Sequence, residues 1–338
     1  MSFLQILWFI LIGVLFSGFF FLDGFDLGVG MAVKTLAHNR KERSQIISTI
    51  GPVWDGNEVW LITAGGAMFA SFPYWYASLF SGYYMILLFI LVALILRGVS
   101  FEFRAKSAEK NKDFWENMMA LGSFLAPFLF GVMFISMIKG MPIDAKGNMY
   151  AHFFDYFNWF SIVGGVALTL LCYLHGLNYI TLKTKGAISK RAQTYAQALY
   201  WVLYVGEVIF ALLLIFQTDF LRVHPFATLL CLVLIVGFSV SAHVGTFKNK
   251  QGMAFISSGL TLVSLVVLLF SGLFPRLMIS SISSKFNLVI QSSSSSNYTL
   301  VVMTIATCIF VPIVLAYTIW SYWMLRKRIE MPRVGEGY

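Results

Sequence analysis

Two pairs of carboxyls stand inside otherwise apolar stretches of this 338-residue chain: Asp23 with Asp26, and Asp55 with Glu58. Each pair is spaced i, i+3, which puts both members on one face of a helix. Asp23 lies eleven residues before Lys34, about 16 Å at a helical rise, and Asp55 lies twelve residues after Arg43, about 18 Å. Consecutive antiparallel helices would therefore carry their acidic faces at similar depth. Inside a bilayer each carboxylate costs about 2.5–3.5 kcal/mol. Four of them must face a bundle interior, a partner or water, and some must carry protons. Stacked protonatable groups joined by water make a proton relay. The competing reading is structural: the acids cap helix breaks or bond to Trp54, Asn57, Trp60 and nearby hydroxyls, and Asp26 and Glu58 invite it most. Glu207 stands alone in a later apolar run, where an interhelical hydrogen bond accounts for it as well as transport does.

Other residue types suggest less chemistry. His38, His152 and His224 fall in polar connections, and only His175 and His243 fall in apolar runs. Heme iron takes His, Met, Cys or Tyr, but two unpaired histidines read first as bonded bundle residues. Cys172, Cys231 and Cys308 sit in apolar runs without metal-ligand or disulfide spacing, so they read as small core residues. Arg97 and Arg104, with Glu102 between them, close an apolar run and read as interfacial anchors snorkelling to headgroups.

The elements that carry these groups follow from composition. Hydrophobic residues make up 59% and charged residues 12% of the chain, with a mean hydropathy of +0.79. A soluble domain has roughly twice that charge, so most of this surface faces lipid or other apolar helices. Runs of about 20 apolar residues occur at Leu4–Val33, Ser48–Phe72, Trp75–Gly98, Phe114–Ile138, Phe154–Thr181, Leu199–Gln217, Ala227–Thr246, Met253–Phe274 and Thr299–Leu325. The fold class is all-α, a polytopic membrane protein of about nine helices. Alternate connections hold nineteen of the Lys and Arg residues and the others only five. The positive-inside rule then puts the N-terminus outside and the C-terminus in the cytoplasm. The net charge of +9 is explained by these basic loops meeting anionic lipid, without nucleic acid.

Leu22-Asp23-Gly24-Phe25-Asp26 resembles Leu174-His175-Gly176-Leu177-Asn178, and Glu58-Val59-Trp60 resembles Glu207-Val208-Ile209, at offsets of 152 and 149. Parallel repeats would behave so. The expected organisation is a four-helix bundle over 1–138, an external loop over 139–153, a second four-helix bundle over 154–274, a flexible Ser-rich external loop over 275–298, and a ninth helix with a cytoplasmic tail over 299–338.

The stretches FLDGFDLGVGM (21–31), GPVWDGNEVWLITAGGAMFASFP (51–73) and RGVSFEFR (97–104), with GMPID (140–144) and LFPR (273–276), are similar to subunit II of cytochrome bd-type quinol oxidases along essentially the whole chain. The resemblance implies a heterodimer with a larger subunit I that holds two b-type hemes, the d-type heme and the quinol loop. It implies quinol oxidation coupled to reduction of dioxygen to water, in the bacterial cell membrane. It also implies a proton pathway from the cytoplasm, assigned to Asp23 and Asp55. A small extra subunit and a bound lipid or quinone are further partners it leaves open. Two readings compete: a proton-coupled transporter using the same acids, and a purely structural membrane subunit.

Overall fold

The computed structural model of the chain describes residues 1–329, so Arg333 and the rest of the expected tail lie outside the described residues. The helices are α1 (Phe3–Thr35), α2 (Arg40–Ile50), α3 (Trp54–Ser71), α4 (Pro73–Gly82), α5 (Tyr84–Lys106), α6 (Glu109–Lys139), α7 (Phe153–Tyr156), α8 (Trp159–Lys183), α9 (Ala187–Gln217), α10 (Phe220–Val223), α11 (Pro225–Phe247), α12 (Gln251–Leu273), α13 (Ile290–Ser293) and α14 (Asn297–Met324). Two short antiparallel strands, β1 (Arg276–Met278) and β2 (Leu288–Val289), precede α13. Among the described residues, eight helices are long and apolar enough to cross a membrane: α1, α5, α6, α8, α9, α11, α12 and α14. Lipid offers the backbone no partners, and a helix satisfies its N–H and C=O groups within one segment. The architecture is all-α and polytopic, as composition predicts.

The second expected span is built differently. Pro52 has no N–H to continue the ladder, and its ring collides with the carbonyl one turn back, so the chain breaks into α2 and α3. α3 is only 18 residues long and carries Asp55, Asn57 and Glu58 near its start, which keeps it out of the strongly apolar set. It packs on α1 and touches α14. The third expected span is also divided. α4 ends at the buried Tyr83, whose hydroxyl lies 3.0 Å from Ser136 Oγ, and α5 runs eight residues past Gly98 to Lys106.

α1 is the central helix, with α3, α6, α8 and α12 packed around it. α1 and α8 approach so closely that a Cβ on Gly28 would lie 2.0 Å from the Cys172 carbonyl oxygen. A Cβ on Gly176 would lie 2.4 Å from the Gly28 carbonyl carbon. Gly56, Gly65 and Gly66 meet nothing within 4 Å and lie along an open face of α3. Phe16, Phe19 and Phe20 meet Phe130 and Phe134 edge-on in the interior. α14 is peripheral, with only Leu300 fully buried among its residues. Trp8 Nε1 ties it to α1 by donating to Thr304 Oγ1 at 3.0 Å.

The two ends differ in chemistry. At the end that carries Lys34, ion pairs knit α2 to α6: Arg43 reaches Asp113 at 2.5 Å and Glu116 at 2.8 Å, and Arg40 reaches Asp113 at 3.0 Å. At the opposite end, Arg276 grips Asp219 with both terminal nitrogens, at 2.5 and 2.8 Å, and its hydrogen bonds hold that carboxyl below the usual carboxylate range. The Ser-rich segment is folded, contrary to the flexible loop its composition predicts. Ser295 donates from its backbone N–H to the Ser71 carbonyl and from its hydroxyl to the Ala70 carbonyl, and Ser280 bonds to Ile143 in the 139–153 loop. The Ser295 bonds satisfy the last carbonyls of α3, and the Ser280 bond joins the two external segments, which composition cannot anticipate.

Candidate functional site

The acids of α1 and α3 converge on one arginine. α5 buries Ile86, Ile90, Ala93, Arg97, Ser100 and Arg104, a 4-3-4-3-4 spacing that forms one stripe of the helix. Because α5 continues past Gly98, Arg97 sits within that stripe and is fully buried. It is not a snorkelling anchor. Its Nη2 donates to Asp23 Oδ1 at 2.9 Å, while Nη1 donates to Asp23 Oδ2 at 3.3 Å and to Glu58 Oε1 at 2.7 Å. Asp26 Oδ2 lies 4.0 Å from Nη2. The Trp54 ring lies 5.9 Å from the guanidinium carbon and stacks on Phe101. The second arginine of the stripe, Arg104, is also buried and donates to Glu116 at 2.9 Å and Ser44 at 2.8 Å. The sequence signal for both was the apolar stripe into which they fall, which a reading of span ends overlooks.

Asp26 completes the cluster through α3. Asn57 Nδ2 donates to Asp26 Oδ2 at 2.6 Å, and Asn57 Oδ1 accepts from the Tyr322 hydroxyl of α14 at 2.8 Å. Asp26 Oδ1 and Arg97 Nε have no hydrogen-bond partner among the described residues. Asp23, Asp26 and Asn57 are all buried, and Glu58 is partly so. Three carboxyls thus lie within 4.0 Å of a single guanidinium. If all three were ionised the group would hold a net charge of minus two inside an apolar bundle, where like charges cannot all persist.

Asp55 is not part of this network. It is exposed on α3, on the same open face as Gly56, Val59 and Ile62, and no hydrogen bond or ion pair joins it to the cluster. Nothing in the sequence singled out Tyr322, because a tyrosine in an apolar helix gives no periodic signal.

The membrane histidines are engaged elsewhere. His175 uses both ring nitrogens, Nδ1 with Ser258 Oγ at 2.8 Å and Nε2 with the Phe21 carbonyl at 2.9 Å. His243 Nδ1 lies 2.9 Å from the Tyr204 hydroxyl, and its ring stacks on Tyr200. A heme needs a free axial nitrogen. His175 does not fit that role, while His243 is partly buried and engages one ring nitrogen with Tyr204.

The chain matches the family profile of cytochrome bd terminal oxidase subunit II over residues 4–325. It is 47% identical to the cytochrome bd ubiquinol oxidase subunit 2 of Bacillus subtilis, covering 98% of each chain. It is 33% identical to the cytochrome bd-I ubiquinol oxidase subunit 2 of Escherichia coli, covering 96% of this chain and 95% of that one. Its fold aligns with a chain of the bd oxidase structure from Geobacillus thermodenitrificans at a TM-score of 0.74, over 96% of this chain and 98% of that chain. With 14% identity between the two, that likeness is one of fold.

Proposed function

Because the chain belongs to the cytochrome bd terminal oxidase subunit II family, we propose that its acid cluster hands protons from the cytoplasm toward the oxygen-reducing centre of the complex. The chain is a multi-pass subunit of a quinol:oxygen oxidoreductase of the bacterial membrane. In this family the complex uses hemes and quinol. We assign all the hemes and the quinol site to subunit I. The open face of α3, with Asp55, Gly56, Val59, Ile62 and Gly66, is then the surface that subunit I covers. Small residues there let a partner helix approach closely. The same reading treats 1–138 and 154–274 as two copies of a four-helix unit and sets the Lys34 end in the cytoplasm. An apolar cavity of about 690 Å³ between α1, α3, α4, α5, α6 and α12 suits a lipid or quinone tail.

The observation that carries the relay reading is the charge count at Arg97: three carboxyls, one guanidinium, and an unpartnered oxygen on Asp26. A site arranged only for stability would match charges, since each uncompensated buried ion costs several kcal/mol. Asp23, Asp26 and Glu58 hold the proton, and Asp55 is the acceptor at the partner-facing surface. The test is turnover per assembled, fully hemylated complex. Asp23→Asn and Asp55→Asn should each slow oxygen reduction by about tenfold or more, the scale of a lost proton-transfer group, with heme content near normal. Asp55→Glu should retain part of the rate. Wild-type turnover in both Asn variants would remove the relay and leave the chain a scaffold.

A further inference from the structure

Tyr322 is the one polar group that the peripheral helix α14 sends into the acid cluster. The rest of α14 is nearly free of the bundle: only Leu300 is fully buried, and α1 and α3 are the helices it chiefly touches. Yet its last turn is fastened firmly. Lys183 Nζ donates to the carbonyls of Leu325 and Lys327, the Ile329 N–H donates to the Lys183 carbonyl at 2.8 Å, and Gln45 Nε2 donates to the Ile329 carbonyl at 3.2 Å. This strap begins three residues after Tyr322 and sets where its hydroxyl lies.

We infer that Tyr322 is a positioning residue for the proton-holding site, fixing the Asn57 amide so that its N–H side meets Asp26; this rests on the relay reading above. An amide has one accepting and one donating end. The Tyr322 hydroxyl donates to Asn57 Oδ1, while Nδ2 donates to Asp26 Oδ2 at 2.6 Å and to the Leu22 carbonyl at 3.4 Å. The bond to Asp26 holds one carboxyl oxygen and leaves Oδ1, which has no partner among the described residues, as the atom that takes or gives a proton. Without the phenol, Asn57 Oδ1 loses its donor, and only the long bond to the Leu22 carbonyl remains beside Asp26 to orient the amide. Its N–H is then held less firmly on Asp26, and its oxygen turns toward the carboxyl more readily. The charged and titratable groups that face Asp26 are Asp23 on α1, Glu58 on α3, Arg97 on α5, Tyr179 on α8 and Tyr322 itself. Tyr322 alone among them acts through the amide.

The experiment uses the intact complex, with heme content measured by its absorbance and turnover expressed per hemylated complex. Tyr322→Phe keeps the ring and removes the hydroxyl. Its turnover should fall about three- to tenfold, the scale of one hydrogen bond, with heme content unchanged. An N–H donated to a carboxylate favours the charged form, so its loss should move the alkaline limb of the pH profile to higher pH. Asn57→Ala should shift the limb in the same direction, and adding Tyr322→Phe to it should change little more. A wild-type rate and profile in Tyr322→Phe, or a loss that follows heme content alone, overturns the inference. The relay reading is judged separately: wild-type turnover in Asp23→Asn and Asp55→Asn removes the relay itself. Slow Asn variants beside an unaltered Tyr322→Phe keep the relay and remove only the role of Tyr322.

Discussion

The two halves of the chain meet the same problem, polar groups inside lipid, in opposite ways. At Asp23, Asp26 and Glu58 the first half keeps three carboxyls around Arg97. At the corresponding positions, 152 and 149 residues later, stand His175, Asn178 and Glu207. His175 is satisfied by Ser258 and Phe21, while Asn178 donates to the Tyr200 hydroxyl at 2.8 Å and accepts from Thr246 Oγ1 at 3.2 Å. Glu207 has no arginine beside it. Its Oε1 is unpartnered, and it borders a cavity of about 90 Å³ with otherwise apolar walls. A neutral network is stable once each donor finds an acceptor. A charged one needs a counter-ion, because each uncompensated buried ion costs several kcal/mol. The two sets differ in charge: one gathers three carboxyls around a guanidinium, the other pairs mostly neutral groups.

The largest effect should come from breaking the charged set. Arg97→Ala leaves two buried carboxyls and a partly buried one without a cation and should cost on the order of 3–5 kcal/mol, read as loss of assembled complex. Arg97→Lys should recover only part, because an ammonium cannot reproduce the fork onto Asp23 and Glu58. Normal assembly of Arg97→Ala would show that the first half is no more dependent on charge than the second.

An intermediate effect is expected from the neutral set. His175→Ala deletes two hydrogen bonds and should lower thermal stability by about 1–3 kcal/mol, followed as the shift in Tm of the purified complex. Its heme spectrum should stay intact, because both ring nitrogens already have protein partners. Loss of one heme's absorbance with normal assembly would place a cofactor ligand in the second half and end the contrast.

The smallest effect belongs to Glu207. Glu207→Gln removes a titrating group with no counter-ion, and both turnover and stability should stay near wild type, within about 0.5 kcal/mol. Glu58→Gln should instead slow turnover, because Glu58 Oε1 accepts from Arg97 Nη1 at 2.7 Å and shares its charge. Equal turnover losses in the two variants would mean that both halves carry protons.

Much of this was readable along the chain. The spans, their number to within one strongly apolar helix, and the two acidic pairs all follow from composition and spacing, because a bilayer imposes length and hydropathy on each segment independently. The pairing of Asp23 with Asp26 on one face follows from the helical repeat. The division of α3's acids did not follow. Asp55 and Glu58 are one turn apart, yet Glu58 turns to Arg97 while Asp55 stays on the open face.

Which groups meet depends on how the helices pack. Arg97 is 39 residues from Glu58 and 74 from Asp23, and Tyr322 is 265 residues from Asn57. No local period reports contacts at such separations, since they depend on how α1, α3, α5 and α14 are set against one another. The extension of α5 past Gly98 turned an expected anchor into the centre of the cluster. Sequence alone determined that carboxyls would be buried in a membrane, because each segment must satisfy lipid by itself. Three-dimensional packing determined their counter-ion and their hydrogen bonds, because electrostatic partnership is a property of distance in space and not of distance along the chain.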